Sequence, residues 1–277
     1  SETGHPGVAG MIRIVVLAPI HTSLYSRLVV HLAAQESDME IAGVIVRMPW
    51  SWTRIRGELR RDGARLAQKV VNKWLLADQL PAKEDETESL ATLAHQVELP
   101  RGTLKDICAN HMIPYYTVKD HNDVQSLILL TKIKPDVIAF TGGGLIRKDV
   151  LSIPTIGVLN CHSGMLPHYR GMDVVEWALA EEHFDQVGQT LHLMDSGVDT
   201  GPILLQCSLE LHQGDTITSI RTRLEARMPL MMLEGLRGLR DGTLKPQPQR
   251  PEDGRQYFVM HPQLRAMVER KLTDRNP

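Results

Sequence analysis

Cysteine is scarce in this 277-residue chain, which holds only Cys108, Cys161 and Cys207. An odd, scattered set excludes a disulfide scaffold and a cysteine-based metal site. No run approaches the ~20 apolar residues that cross a bilayer, and no signal peptide precedes the first strand pattern, so a cytoplasmic protein without membrane contact is expected. Charge of one sign is missing as well. The 31 basic and 33 acidic residues leave a formal net charge of -2, which denies a global attraction to nucleic acid or acidic lipid. What remains, 42% hydrophobic and 23% charged residues, is the composition of an ordinary soluble globular protein. The length allows one large domain or a domain and a half. The polar 1–10 segment reads as an added remnant, with Met11 the expected native start.

Short β-rich runs alternate with helical patterns along the chain. Ile12–Ala18, Ile41–Val46, Ile113–Val118, Asp136–Phe140 and Val158–His162 predict strands. Ser23–Ala34, with Leu24, Leu28 and Leu32 at helical spacing, and Val124–Lys132 predict helices between them. The alternation implies an α/β fold with a mostly parallel, Rossmann-like sheet flanked by helices. A glycine fingerprint is absent after the first strand: Leu17–Ser23 offers no close approach to a phosphate. His21, Thr22 and Ser23 either contact a different ligand or cap the first helix.

Residues 48–110 read as a helical insertion. Its Arg61, Arg65, Lys69 and Lys73 share one face at i, i+4 spacing, which predicts a solvated helix face or, alternatively, a stripe that touches phosphates. Trp50, Trp52 and Trp74 flank the segment, and Trp74 among Val70, Val71 and Leu75 predicts a local core rather than a stacking platform. Downstream, Ile203–Leu211 predicts a strand and Thr216–Arg240 a long helix that stops at Gly242. A short extension, 246–277, follows with a helix over Pro262–Leu272.

The segment from Gly157 to Leu204 holds the chemistry. Asn160 and His162 fall at a strand end with both side chains on one face, because strand side chains alternate, and strand ends of α/β sheets are where ligand sites are built. His192 and Asp199 follow beyond a turn rich in Gly and Pro. An amide, two imidazoles and a carboxylate can orient an amine, stabilise an oxyanion and move a proton, as acyl transfer to nitrogen requires. Taken singly, each reads more plainly as a turn cap, a partly buried histidine or a loop acid. Cys161, between Asn160 and His162, points to the opposite face and is expected to pack as a small apolar residue.

Together these residues form a string: Asn160-Cys161-His162, then Gly164-Met165-Leu166-Pro167-His168-Tyr169-Arg170-Gly171, Thr190-Leu191-His192 and Asp199-Thr200-Gly201. The string resembles the formyltransferases that use 10-formyltetrahydrofolate, and the resemblance extends more weakly over residues 11–245. Ser163-Gly164 stands where that family usually has Pro-Ser, which shifts a hydroxyl by one position. The resemblance implies the formyltransferase fold, a catalytic domain over 11–245 and catalytic roles for Asn160, His162 and Asp199, with His192 in support. It implies 10-formyltetrahydrofolate as formyl donor and no metal. Donor contacts are expected from the loop Phe140, Gly142, Gly143, Gly144, Leu145 and Ile146, and from Met194, Asp195 and Val198.

The expected reaction is formyl transfer to an amine or hydroxylamine of a small metabolite, such as a nucleotide-linked amino sugar or an N-hydroxylated amino acid of a siderophore pathway. A methionyl-tRNA formyltransferase would share these motifs, but the charge balance and the short tail count against a nucleic-acid partner. A formyltetrahydrofolate hydrolase and an inactive folate-binding protein are further alternatives.

Overall fold

The computed structural model describes residues 11–48 and 88–274. Segment 1–10, the basic residues Arg61, Arg65, Lys69 and Lys73, and Trp50, Trp52 and Trp74 lie outside the described residues. Strand β1 (Ile12–Ala18) is a run of β-branched and aliphatic residues, and Ile14 to Ala18 are fully buried. Burial on both faces is what a continuous apolar run requires of a central parallel strand. Ser23 then caps α1 (Leu24–Ala34): its side chain accepts the Ser26 amide, so the capping reading of Ser23 holds. Strand β2 (Met39–Arg47) follows. Past it, α2 (Leu90–Gln96) and α3 (Leu104–Asn110) lead into β3 (Tyr115–Val118). That strand begins two residues later than its apolar pattern suggests, because Pro114 has no N–H to give the ladder.

Helix α4 (Val124–Ile133), β4 (Val137–Phe140), the short α5 (Lys148–Leu151) and β5 (Gly157–His162) continue the alternation. The Gly- and Pro-rich stretch after β5 is more ordered than its composition suggests. It contains β6 (Tyr169–Gly171) and α6 (Val174–Ala180), neither marked by a long periodic pattern. Antiparallel β7 (Gly188–Leu193) and β8 (Ile203–Ser208) precede the long α7 (Ile217–Arg240), capped by Thr216. Strand β9 (Arg255–Tyr257) and α8 (Pro262–Asp274) close the described chain. No described helix is long and apolar enough to cross a membrane.

The main sheet has the order β3-β2-β1-β4-β5-β7-β8. Its first five strands are parallel, β7 runs antiparallel to them, and β8, antiparallel to β7, returns to their direction. This is the mostly parallel, helix-flanked α/β fold that the pattern predicts. On one face, α1 and α7 cover a core that includes Leu159, Cys161, Leu191, Met231, Met232 and Leu236. A Cβ on Gly235 of α7 would lie 2.0 Å from the Leu191 side chain, so the helix reaches the sheet only because that position is bare. The other face packs Val15, Leu17, Ile138, Phe140 and Val158 under α4 and α5.

Strand order reverses between β1 and β4, and such a switch point opens a crevice at the carboxyl ends of the strands. The loops after β1 and β4 flank it. A second, smaller sheet pairs β6 with β9 in parallel, which ties the C-terminal segment to the stretch just after β5.

Candidate active site

Strand parity puts Asn160 and His162 together. Leu159 and Cys161 point into the core under α7, so their neighbours Asn160 and His162 face the other way. On the adjacent antiparallel strand, Asn160 pairs with His192 and His162 pairs with Thr190. Thr190 and His192 therefore share the face of Asn160 and His162. Thr190 also fixes the turn after β5: its hydroxyl donates to the Gly164 carbonyl at 2.7 Å and accepts the Leu166 amide at 3.0 Å. Ser163-Gly164 in place of Pro-Ser thus still supports an ordered turn.

Asp199 closes the group from above. The loop after β7 folds back so that its carboxylate lies 3.5 Å from His162 Nδ1 and 3.5 Å from His192 Nε2. The Gly171 amide donates to Asp199 Oδ2 at 3.0 Å. Asp199 itself has φ 54, a left-handed conformation. The four residues expected to act together are thus brought into one cluster.

Backbone carbonyls set the tautomers, because a carbonyl only accepts. His162 Nε2–H donates to the Tyr169 carbonyl at 2.8 Å, which leaves Nδ1 of neutral His162 bare and facing Asp199. His192 Nδ1–H donates to the Leu193 carbonyl at 3.0 Å, so its Nε2 accepts from Asn160 Nδ2 at 3.1 Å. One N–H of the Asn160 amide remains for a ligand. Burial is the largest influence on His162 and holds its pKa below the ordinary histidine value; the Asp199 charge and the Tyr169 bond oppose this without overcoming it. For Asp199, burial acts to raise the pKa, but His192, the His162 charge and the Gly171 amide outweigh it and leave the carboxyl below its usual range. Two acceptors therefore oppose each other across 3.5 Å: a bare imidazole nitrogen and a carboxylate. A proton on Nδ1 would lie between the two.

Cys161 faces away from the cluster. Its thiol is buried, lies 3.5 Å from Met231 Sδ, and is pushed by burial up to about 12. A nucleophilic cysteine needs thiolate character, which these surroundings deny.

The expected donor-binding residues divide into two groups. Phe140 pairs with Asn160 in the sheet, so the loop from Thr141 onward leaves the same strand ends as the cluster. Gly142, Gly143 and Gly144 have φ of 117, 122 and 100°, which L side chains rarely adopt. A Cβ on Gly143 would stand 2.8 Å from the His121 ring, and one on Gly144 3.0 Å from Arg47. Leu145 is exposed, whereas Phe140 and Ile146 bury their side chains in the core. Met194 packs against that same core. Asp195 uses its carboxylate within its own loop, accepting from Gly197 and Thr200, while Val198 is exposed. Two contributors carry no sequence signal for this role: the Tyr169 carbonyl and Gln249, whose amide donates to the Asp199 carbonyl at 3.0 Å and the Gly201 carbonyl at 2.5 Å.

The chain is 33% identical over 181 residues to a methionyl-tRNA formyltransferase of Pelobacter propionicus, an alignment that covers 61% of this chain and 56% of that protein. The chain thus spans little more than half the length of that relative. Among solved structures, glycinamide ribonucleotide transformylase 1 of Symbiobacterium toebii superposes with a TM-score of 0.58 at 18% identity, covering 90% of this chain and all of that one. A sugar N-formyltransferase from a Shewanella species gives 0.55 at 12% identity, covering 95% and 88% of the two chains. These two likenesses are of fold. Residues 12–236 match the family described as formyl transferase, and the chain belongs to that family.

Proposed function

We propose that this chain transfers a formyl group from 10-formyltetrahydrofolate to an amine or hydroxylamine of a small metabolite. The observation that carries the proposal is the convergence of Asn160, His162 and His192, from two paired strands, on the Asp199 carboxylate. The loop after β4 fits a flat donor. Three consecutive glycines leave its amides without side-chain cover, and Leu145 is exposed beside them. Gly142 to Leu145 would hold the donor's ring, with Val198 on the opposite loop. When bound, 10-formyltetrahydrofolate supplies the formyl carbon and the nitrogen that releases it.

The chain's own residues divide the remaining work. The free N–H of the Asn160 amide donates to the formyl oxygen as negative charge develops there, a contribution of ~3 kcal/mol for one such donor. His192 accepts the other Asn160 N–H and fixes the direction of the amide. His162 Nδ1, bare in the resting state, takes the proton of the attacking nitrogen. Asp199 then offsets the imidazolium charge, and its proximity favours passage of that proton to the departing nitrogen.

The methionyl-tRNA acceptor is a second reading, favoured by the name of the 33%-identical relative. Both readings meet one test. Purified protein is supplied with 10-formyltetrahydrofolate and a panel of amino sugars linked to nucleotides, N-hydroxylated amino acids, simple amines and charged initiator tRNA. Tetrahydrofolate release that depends on a small amine is expected. Release only with the tRNA selects the second reading, release of formate without any amine indicates a hydrolase, and no release under any condition sinks formyl transfer.

A further inference from the structure

Asp199 occupies a conformation that a non-glycine residue holds at a cost, with φ 54. Such a residue persists where its surroundings over-determine it. Its carboxylate is held by the Gly171 amide, and its own carbonyl is held from further along the chain. Gln249 Nε2 donates to the carbonyls of Asp199 and Gly201, at 3.0 and 2.5 Å. The opposite end of that amide is fixed in turn. Gln249 Oε1 accepts from Arg170 Nε and Nη2 at 3.3 and 3.1 Å, and a guanidinium offers donors only, so the amide cannot flip. Arg170 is buried and belongs to β6, next to Gly171. One short strand therefore anchors both the carboxylate and, through Gln249, the backbone of the same aspartate. Gln249 lies beyond residues 12–236, the part that matches the family.

We propose that Gln249 is a positioning residue for Asp199, locking the 199–201 backbone so that the carboxylate stays opposite His162 Nδ1. The proposal rests on the formyl-transfer reading of the site. Without the two amide bonds the left-handed turn relaxes and the carboxylate drifts from the imidazole. Displacements of about 1 Å at a reacting group can cost a hundredfold in rate. Because the Asp199 charge acts to raise the His162 pKa, its withdrawal also moves the His162 titration to lower pH.

The test compares wild type, Asp199→Asn and Gln249→Met by NMR titration of the His162 ring and by steady-state kinetics. Methionine keeps the length and neutrality of glutamine but donates nothing. Both variants are expected to lower the His162 midpoint, and Gln249→Met to lower kcat about tenfold to a hundredfold while both KM values stay within about threefold. A second variant, Gln249→Glu, keeps the Arg170 contact while turning acceptors toward the two carbonyls, and a similar loss of kcat is expected. A folded Gln249→Met protein with the wild-type His162 midpoint and kcat, or a Gln249→Glu protein of wild-type speed, overturns the proposal. The titration needs no acceptor. Wild type that releases no tetrahydrofolate with any small amine or with charged tRNA would refute formyl transfer, and the midpoint comparison would still decide whether Gln249 places the carboxylate.

Discussion

His162 and Asp199 stand 3.5 Å apart with a bare ring nitrogen facing a carboxylate. The Tyr169 carbonyl holds the ring proton on the far nitrogen, so neutral His162 turns an open acceptor toward a carboxylate, the arrangement that the proposed role of base requires. The pH dependence follows from that arrangement. Burial lowers the His162 pKa, and Asp199 only partly restores it. The base is active when deprotonated. The acid limb of kcat/KM is therefore expected to have its midpoint below about 6.5, the value of an unperturbed histidine, with a flat region through neutral pH. In Asp199→Asn the residual activity should show this limb displaced to still lower pH. A limb at or above the unperturbed value would remove His162 from the role of base.

Asn160→Ala and His162→Ala both act on charge that develops during the reaction, so both should lower kcat and leave donor affinity nearly unchanged. A lost donor of this kind costs about a hundredfold in rate. Steady-state kinetics with a folate titration separates the two effects. Either variant retaining more than about a tenth of wild-type kcat would contradict the assigned role, given that expected cost. His192→Ala should resemble Asn160→Ala in kind, because His192 accepts the amide hydrogen that directs Asn160.

The sheet was legible because β1 and β4 are short apolar runs of the kind that central parallel strands require. Asn160 and His162 were legible for a related reason: strand parity alone forces them onto one face. The motif string, rather than any periodicity, carried His192 and Asp199. Tyr169 and Gln249 were not legible, since one contributes only a carbonyl and the other lies in a polar, proline-containing segment without a period. The helix Val174–Ala180 was hidden by its shortness. It is held in place by tertiary contacts, among them the buried Glu176 carboxylate bound by Arg221 at 2.7 and 2.9 Å, which local sequence cannot announce.

Cys161 lies between two catalytic candidates yet faces Met231 in the core. Cys161→Ser should retain most of wild-type kcat. Its hydroxyl would be buried beside a thioether, a poor acceptor, so a loss of about 1–3 kcal/mol of stability is expected. Thermal melts and kinetics read the two effects separately. A well-folded but inactive variant, or a formyl thioester trapped on the wild-type protein and seen by mass spectrometry, would make the thiol a nucleophile.

His121 bears on stability rather than rate. It is 1% exposed, packs edge-on against Phe140 and lies under Gly143. Burial chiefly, with the Arg47 charge beside it, pushes its pKa down to about 4. The folded state therefore favours the neutral ring. The unfolded chain takes up the proton near pH ~6.5, while the folded one resists until far lower. The stability contributed by the neutral ring is complete above the unfolded pKa and is lost as pH falls from there toward the folded value. The slope is about 1.4 kcal/mol per pH unit and the total about 3 kcal/mol. His121→Gln does not titrate, so urea unfolding between neutral pH and the folded value of about 4 should show a shallower loss than wild type. Equal slopes in the two proteins would mean that His121 accepts its proton without opening the Gly142–Gly144 loop above it.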